Sequence, residues 1–221
     1  MATAGRDVFT SAMIHELTAA VAGAATTPAL RFVRIRARGD VFCVGRERGG
    51  RTPQDLRREA RDIVCLNETL RTSPLTIVCE VNGDAAGFGA GIVAASDVAI
   101  ASRAARLWFP EILAGLAPTV VISWLAAAVP HKAAFDLVAT GDAITAEEAA
   151  RLGLFTRAVP ADALERTVDE HIERLAGADP IALREIKEFF VGTRTMGPVA
   201  AAAASVDALT ISALRLAGEP P

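Results

Sequence analysis

Three glycines at every second position, Gly87, Gly89 and Gly91, follow closely on a β-branched run that ends at Val81-Asn82-Gly83. Glycine at that density marks backbone that takes unusual φ/ψ or comes very close to a ligand. Small apolar residues follow, so the turn opens a buried helix whose first amides are unpaired and partly positive. Such an end holds a phosphate, or an oxygen on which negative charge develops. A second candidate is Val41 to Arg51, an apolar run that meets Gly45 and becomes a loop bearing Arg46, Arg48 and Arg51. Exposed basic residues are common, so a solvated loop is the ordinary reading. The sharper one is backbone approaching a ligand, with the arginines near its phosphates. Glu111 follows Pro110 directly. Without further context it is a glutamate in the first turn of a helix, favoured by the dipole.

Other chemistries are excluded by spacing. Gly91 comes one residue early for a G-x-G-x-x-G dinucleotide fingerprint, and Asp97 is too close to serve as its strand-end acid. No Gly-Lys-Ser/Thr completes a P-loop and no G-x-S-x-G marks a hydrolase elbow. His15 has no aspartate or cysteine pattern to recruit it, and His131 and His171 lack metal-ligand spacing, so no metal site is expected. Cys43, Cys65 and Cys79 are an odd number, two of them in apolar runs, which reads as reduced thiols and a cytoplasmic location. A net charge of −3 gives no reason to expect nucleic acid. The first residues, MATAGRDVFTSAM, lack the apolar stretch of a signal peptide. Ile112 to Pro130 carries no charge, but Gly115 and Pro118 interrupt it, so a buried helix is expected there and no membrane partner.

The elements that must position these residues follow from periodicity. At 221 residues, with 52% apolar and 22% charged, the chain suits one substantial core or a core with a helical appendage. Thr10 or Ser11 caps a helix to about Ala22, with Met13, Ile14, Leu17 and Val21 at helical spacing. Val33, Ile35 and Ala37 alternate with Arg34 and Arg36 as a half-buried strand closed by Gly39-Asp40. Gln54 to Arg71 is an amphipathic helix with Ile63, Val64, Leu66 and Leu70 inward. Leu75 to Val81 is a strand covered on both faces, and Val98 to Ala101 a third strand. Strand followed by helix argues for an α/β layer fold. Thr145 and Glu148 form a capping box with Gly153 at the far end of the helix; Asp162 and Glu165 repeat the cap spacing, and Asp179-Pro180 starts another helix. The last third therefore reads as helical without strands, and Met196 to Leu216 is apolar enough to need cover from the core or a neighbouring subunit.

These segments, in this order, resemble the enoyl-CoA hydratase/isomerase, or crotonase, family. RDVFTSAMI from Arg6 looks like its RNAL-type helix start, and VFCVGRE from Val41 its FxAGxD-type loop. VNGDAAGFGAG from Val81 is similar to its NGxAxGGGxE turn, FPEILAGLAP from Phe109 to its PE segment, and TGDAITAEEAARLGLFTRAVP from Thr140 is a further match. The resemblance implies a crotonase-like spiral of ββα units over residues 1–156, holding an acyl-CoA site. It also implies a helical C-terminal trimerisation region over 157–221, and hence a homotrimer or hexamer. Coenzyme A enters as part of a thioester substrate, with no separate cofactor. Carried residue by residue, the resemblance assigns the two amides of an oxyanion hole to Arg46 and Phe88, and substrate contacts to Arg6, Val44, Gly45, Ala86, Gly87 and Gly89. One of the family's two catalytic carboxylates is present as Glu111; the position of the other is Gly91. One carboxylate suffices for a double-bond shift, whereas syn hydration wants two, so an enoyl-CoA isomerase is expected. The alternatives are a hydratase with altered water activation and a non-catalytic acyl-CoA-binding or partner subunit. Only five residues precede Arg6, where the family carries a β-hairpin that supports the sheet and part of the CoA grip.

Overall fold

The computed structural model describes residues 7–218. The chain divides into two compact units, one ending at Ile172 and the other starting at Glu173.

The first unit is built on a four-stranded, all-parallel sheet in the order β1-β2-β4-β7, where β1 is Phe32–Arg36, β2 Thr76–Val81, β4 Val98–Ser102 and β7 Arg157–Val159. Parallel neighbours need crossover connections, and helices supply them. Helix α1 (Ser11–Ala25) precedes β1, α2 (Pro53–Thr72) links β1 to β2, and α3 (Phe88–Ala95) lies between β2 and β4. All six residues of β2 are buried, as its largely apolar run requires for a strand covered on both faces. The exception to that run, Glu80, is held by the Arg34 guanidinium from the neighbouring strand, and Arg34 also reaches Asp169 at 2.6 Å. Asp97 accepts the Ile77 amide at 2.7 Å, fixing the start of β2.

A second, smaller sheet runs β3-β5-β6, with β3 Ala85–Ala86, β5 Arg106–Trp108 and β6 Ile144–Thr145. After β5 comes a 3-10 turn, Pro110–Ala114, closed by Gly115 at φ 71°, then α4 (Thr119–Ala128) and α5 (His131–Thr140). Val121, Trp124 and Leu125 of α4 are buried, but Ile122 on the same helix and Ile112, Leu113 and Leu116 before it are exposed, so only one face of a helix within the uncharged stretch is core. Thr145 caps α6 (Ala146–Arg151) by accepting the Glu148 amide, and Gly153 follows at φ 84°.

Several expectations are corrected. Arg157–Val159 is a strand in the last third of the chain, paired with β4, so the sheet continues past the boundary read at residue 156. Asp162 caps nothing: it lies inside a 3-10 turn, Ala161–Ala163, that leads into α7 (Leu164–Ala176). Val64 is 39% exposed, while Asn67 takes a buried place on α2. His15 does have an acidic partner, Asp62 on α2, at 2.9 Å.

The second unit contains α8 (Pro180–Thr193), capped by Asp179 on the Ala182 amide, and α9 (Pro198–Ala217). Arg215 bridges Asp179 and Glu185 within it. No residue of α9 is buried; Val199, Val206, Leu209 and Leu216 are all well exposed. By length and composition α9 is also the one helix among the described residues apolar enough to cross a bilayer.

Candidate active site

Three adjacent chain segments assemble one site. Cys43 bridges Ala85 in parallel, and Ala85 in turn pairs with Leu107. Cys43 accepts the Ala86 amide at 2.8 Å, and Asp84 accepts the amides of Phe42 and Cys43 at 3.2 and 3.1 Å. Each segment then runs on past its paired residue to the same end, three residues to Arg46, three to Phe88 and four to Glu111. Ligands of α/β folds bind beyond the carboxyl ends of such strands. Here these ends surround a cavity of about 500 Å³ whose wall includes Val44, Gly45, Arg46, Gly87, Phe88, Gly91 and Glu111.

Two backbone amides are free to act there. Phe9 donates to the Gly45 carbonyl at 3.0 Å and Glu47 donates to the Phe9 carbonyl at 2.8 Å. In that ladder the residues flanking Arg46 make the bonds, which turns the Arg46 N–H to the opposite side. Phe88 is the first residue of α3, so its N–H has no intrahelical acceptor. Neither amide donates to an acceptor among the described residues.

Glu111 is brought to these amides by the Gly87 turn. The Gly87 N–H donates to Trp108 at 3.0 Å, three residues before Glu111. Gly87 has φ 51°, and a Cβ built on it would stand 2.8 Å from Glu111 Oε1. The carboxylate thus lies in the space a side chain at position 87 would take. Its other oxygen, Oε2, is buried and accepts no hydrogen bond among the described residues. A carboxylate oxygen without a donor keeps its lone pairs open to a proton on a bound molecule. Gly89 is glycine for a different reason: a Cβ there would sit 2.1 Å from the Cys43 carbonyl oxygen. Gly91 has room by comparison, since a Cβ there would meet only Trp124 Cζ2, at 3.9 Å.

The basic loop is held from α2. Arg46 Nη1 donates to Glu59 Oε2 at 2.8 Å, and Gly49 and Gly50 donate their amides to Glu59 Oε1 at 3.0 and 2.5 Å. The Arg46 hydrogen bond, aided by those amides, holds the Glu59 carboxyl below its ordinary pKa. The Arg46 guanidinium is therefore spent on the loop; Arg48 lines the cavity and Arg51 does not. The Cys43 thiol donates to Gly45 at 3.2 Å, and burial pushes it up to about 11, which makes it a poor nucleophile.

Of the residues singled out by sequence, Arg46, Phe88, Glu111, Val44, Gly45 and Gly87 converge on the cavity. Ala86 and Gly89 do not line it: both are buried behind it, against the Cys43 strand. Arg6 lies outside the described residues. Sequence reasoning passed over Glu59 and Asn67, which reach the wall from α2 with Leu56 and Ile63. The only signal was an amphipathic helix, whose inward positions do not say whether they meet core or cavity. No group of three or more metal-ligating side chains occurs among the described residues.

Comparison with known proteins gives the family and the fold. The family model described as Enoyl-CoA hydratase/isomerase matches residues 6–211. The rat protein named enoyl-CoA hydratase domain-containing protein 3, mitochondrial, is 31% identical over 77% of this chain and 58% of its own length. Escherichia coli 2,3-dehydroadipyl-CoA hydratase is 26% identical over 84% of this chain and 73% of its own. Over the rat relative the chain thus spans a little more than half the length. Among solved structures, an enoyl-CoA hydratase of Mycobacterium smegmatis superposes with a TM-score of 0.88 at 23% identity, covering 97% of this chain and 89% of that one. A Bacillus anthracis enoyl-CoA hydratase superposes at 0.83 with 26% identity, over 90% of this chain and 79% of that one.

Proposed function

Since the chain belongs to the enoyl-CoA hydratase/isomerase family, we propose that it shifts the double bond of an enoyl-CoA thioester, from carbons 3 and 4 to carbons 2 and 3. The thioester oxygen accepts from the Arg46 and Phe88 amides. Glu111 removes a proton from carbon 2, and the electron pair of that C–H bond moves into the enolate, whose oxygen the two amides stabilise. Glu111 then returns the proton to carbon 4 as the double bond closes between carbons 2 and 3, so nothing is added or lost. One preorganised donor of this type contributes about 3 kcal/mol to lowering a barrier. Coenzyme A arrives with the substrate, and no further cofactor takes part.

The observation that carries this reading is the buried carboxylate oxygen Glu111 Oε2, without a hydrogen-bond partner among the described residues, beside the Gly87-Phe88 turn. Gly91, the family position of a second carboxylate, brings no proton-handling group to the wall. The names of the relatives favour a second reading, hydration across the double bond with Glu111 handling the water. The exposed apolar faces of α8 and α9 support assembly into a trimer or hexamer of this chain, and the buried thiols support a reducing compartment such as the cytoplasm.

Purified protein and Glu111→Gln, each given 3-hexenoyl-CoA and 2-hexenoyl-CoA, separate the readings. A shifted double bond that Glu111→Gln abolishes supports the isomerase. A 3-hydroxyacyl product supports the hydratase. Acyl-CoA binding without turnover of either thioester overturns both and leaves a binding subunit.

A further inference from the structure

Asn67 is 5% exposed, lines the cavity, and its side-chain amide forms no hydrogen bond among the described residues. It occupies a position the helix pattern would fill with an apolar residue. Leu56, Glu59, Ile63 and Asn67 follow one another at intervals of three, four and four along α2, which puts them on one face. The other polar residue of that face, Glu59, is fully engaged by Arg46, Gly49 and Gly50. The wall also carries Leu116, Pro118, Val120 and Val121, with Thr119 and Arg48 as further polar side chains, neither of which hydrogen-bonds Asn67. An amide on the cavity wall with no protein partner has its donors and acceptor open to whatever occupies the cavity, water or ligand.

Asn67 lies two turns beyond Glu59, a rise of about 12 Å along the helix. Hydrogen bonding is thus offered at a second level of the cavity, away from the Arg46 loop that Glu59 holds. Glu111 and Arg48 bring one ionisable group of each sign to the same wall, so no excess of one charge calls for an ionic partner at Asn67, and a neutral oxygen fits its amide.

We propose that Asn67 is a specificity-determining residue that hydrogen-bonds a neutral hydroxyl or keto oxygen on the acyl chain, so that the site selects oxygenated enoyl-CoA thioesters over plain hydrocarbon ones. The inference rests on the thioester reading given above. A site built around a buried polar group rejects the analogue that leaves the group unpaired, more strongly than an apolar pocket rejects an added hydroxyl.

The test compares 3-hexenoyl-CoA with its 5-hydroxy and 6-hydroxy derivatives, on the wild type, Asn67→Leu and the smaller Asn67→Ala. Dissociation constants by calorimetry and kcat/KM are both read, with melting temperature as the check on folding. The expected result is at least one hydroxylated thioester preferred by about tenfold or more in the wild type. Both variants lose that preference through the hydroxylated ligand while the plain thioester binds at least as well. Equal preference in wild type and variants overturns the inference, since Asn67 then bonds only water. Binding selectivity that depends on Asn67 without turnover of any thioester retains the inference and refutes the isomerase.

Discussion

Replacing Gly87 by alanine is the sharpest perturbation of the site, because one methyl group acts on both the backbone and the base. At φ 51° and ψ −109° an alanine is strained, at a cost of about 1–3 kcal/mol. Its Cβ would stand 2.8 Å from Glu111 Oε1, about 0.7 Å inside the 3.5 Å at which carbon contacts become favourable. The neighbours leave two ways to relieve this. Either the Glu111 carboxylate swings away, or the turn moves and takes the Phe88 amide with it. Both separate the base from the oxyanion donor by a large fraction of an ångström, and a misplacement near 1 Å costs roughly 100-fold in rate. In the proposed isomerisation kcat therefore falls about 100-fold, while KM for 3-hexenoyl-CoA changes little because the cavity walls at Leu56, Ile63 and Val121 are untouched. The melting temperature drops by roughly 6 °C, from about 2 kcal/mol at about 3 °C per kcal/mol for a unit of this size. Stopped-flow turnover and a thermal melt on the same preparation read both effects. A variant with unchanged kcat, or one whose loss lies wholly in KM, would refute the assignment of Glu111 and the Phe88 amide to one catalytic unit.

The two neighbouring glycines should behave oppositely. Gly89→Ala drives a Cβ to 2.1 Å from the Cys43 carbonyl, backbone against backbone, and costs about 3 kcal/mol or more, seen as a melting temperature lowered by roughly 9 °C or as insoluble protein. Gly91→Ala meets only Trp124 Cζ2 at 3.9 Å inside α3, so it gains helix propensity of about 0.5–1 kcal/mol and raises the melting temperature. For Glu59, the carboxyl is held below its ordinary range by Arg46. Its contribution is complete above the unfolded value, about 4.3, and is lost as pH falls through the lower folded value. The melting-temperature gap between wild type and Glu59→Gln is thus constant from pH 7 to 5 and narrows below about 4.3; a gap independent of pH down to 3 contradicts the Arg46–Glu59 charge pair.

How far the sequence could be read depended on whether local pattern or distant pairing decides an element. Strand β2 was legible because burial on both faces leaves a largely apolar run, and α1 and α6 because Thr10 and Thr145 mark their starts. The reciprocal box of Thr52 and Asp55 at the start of α2 was written in T-P-x-D and went unread. Arg157–Val159 and the strands of the small sheet were not legible. Two or three residues carry no periodicity, and only the partner strand decides their state. The same division runs through the site. The glycine turn announces itself, since Gly87 and Gly89 answer a φ requirement and a close approach that glycine alone meets. Glu59 and Asn67 are silent, because thirteen residues separate Arg46 from Glu59 and nothing in between predicts that α2 turns this face to a cavity.

That division bears on how such a site tolerates change. The two hydrogen-bond donors at Arg46 and Phe88 are main-chain groups whose direction is set by the Phe9–Arg46 ladder and by the first turn of α3. Their side chains serve elsewhere: the guanidinium binds Glu59, and the Phe88 ring packs on Phe9 with centroids 5.2 Å apart. Charge stabilisation in the proposed reaction is therefore insulated from side-chain substitution at both positions. Proton handling has no such insulation. It rests on Glu111, whose oxygen can occupy its place only because position 87 has no Cβ. A reaction that adds water must recruit a second polar group to this wall, and one without a protein partner is the Asn67 amide on α2. Turnover of plain 2-hexenoyl-CoA by Asn67→Leu thus reports on hydration. If the variant loses a 3-hydroxyacyl product that the wild type forms from plain 2-hexenoyl-CoA, Asn67 positions water and not the acyl chain, and the reaction is the hydratase's.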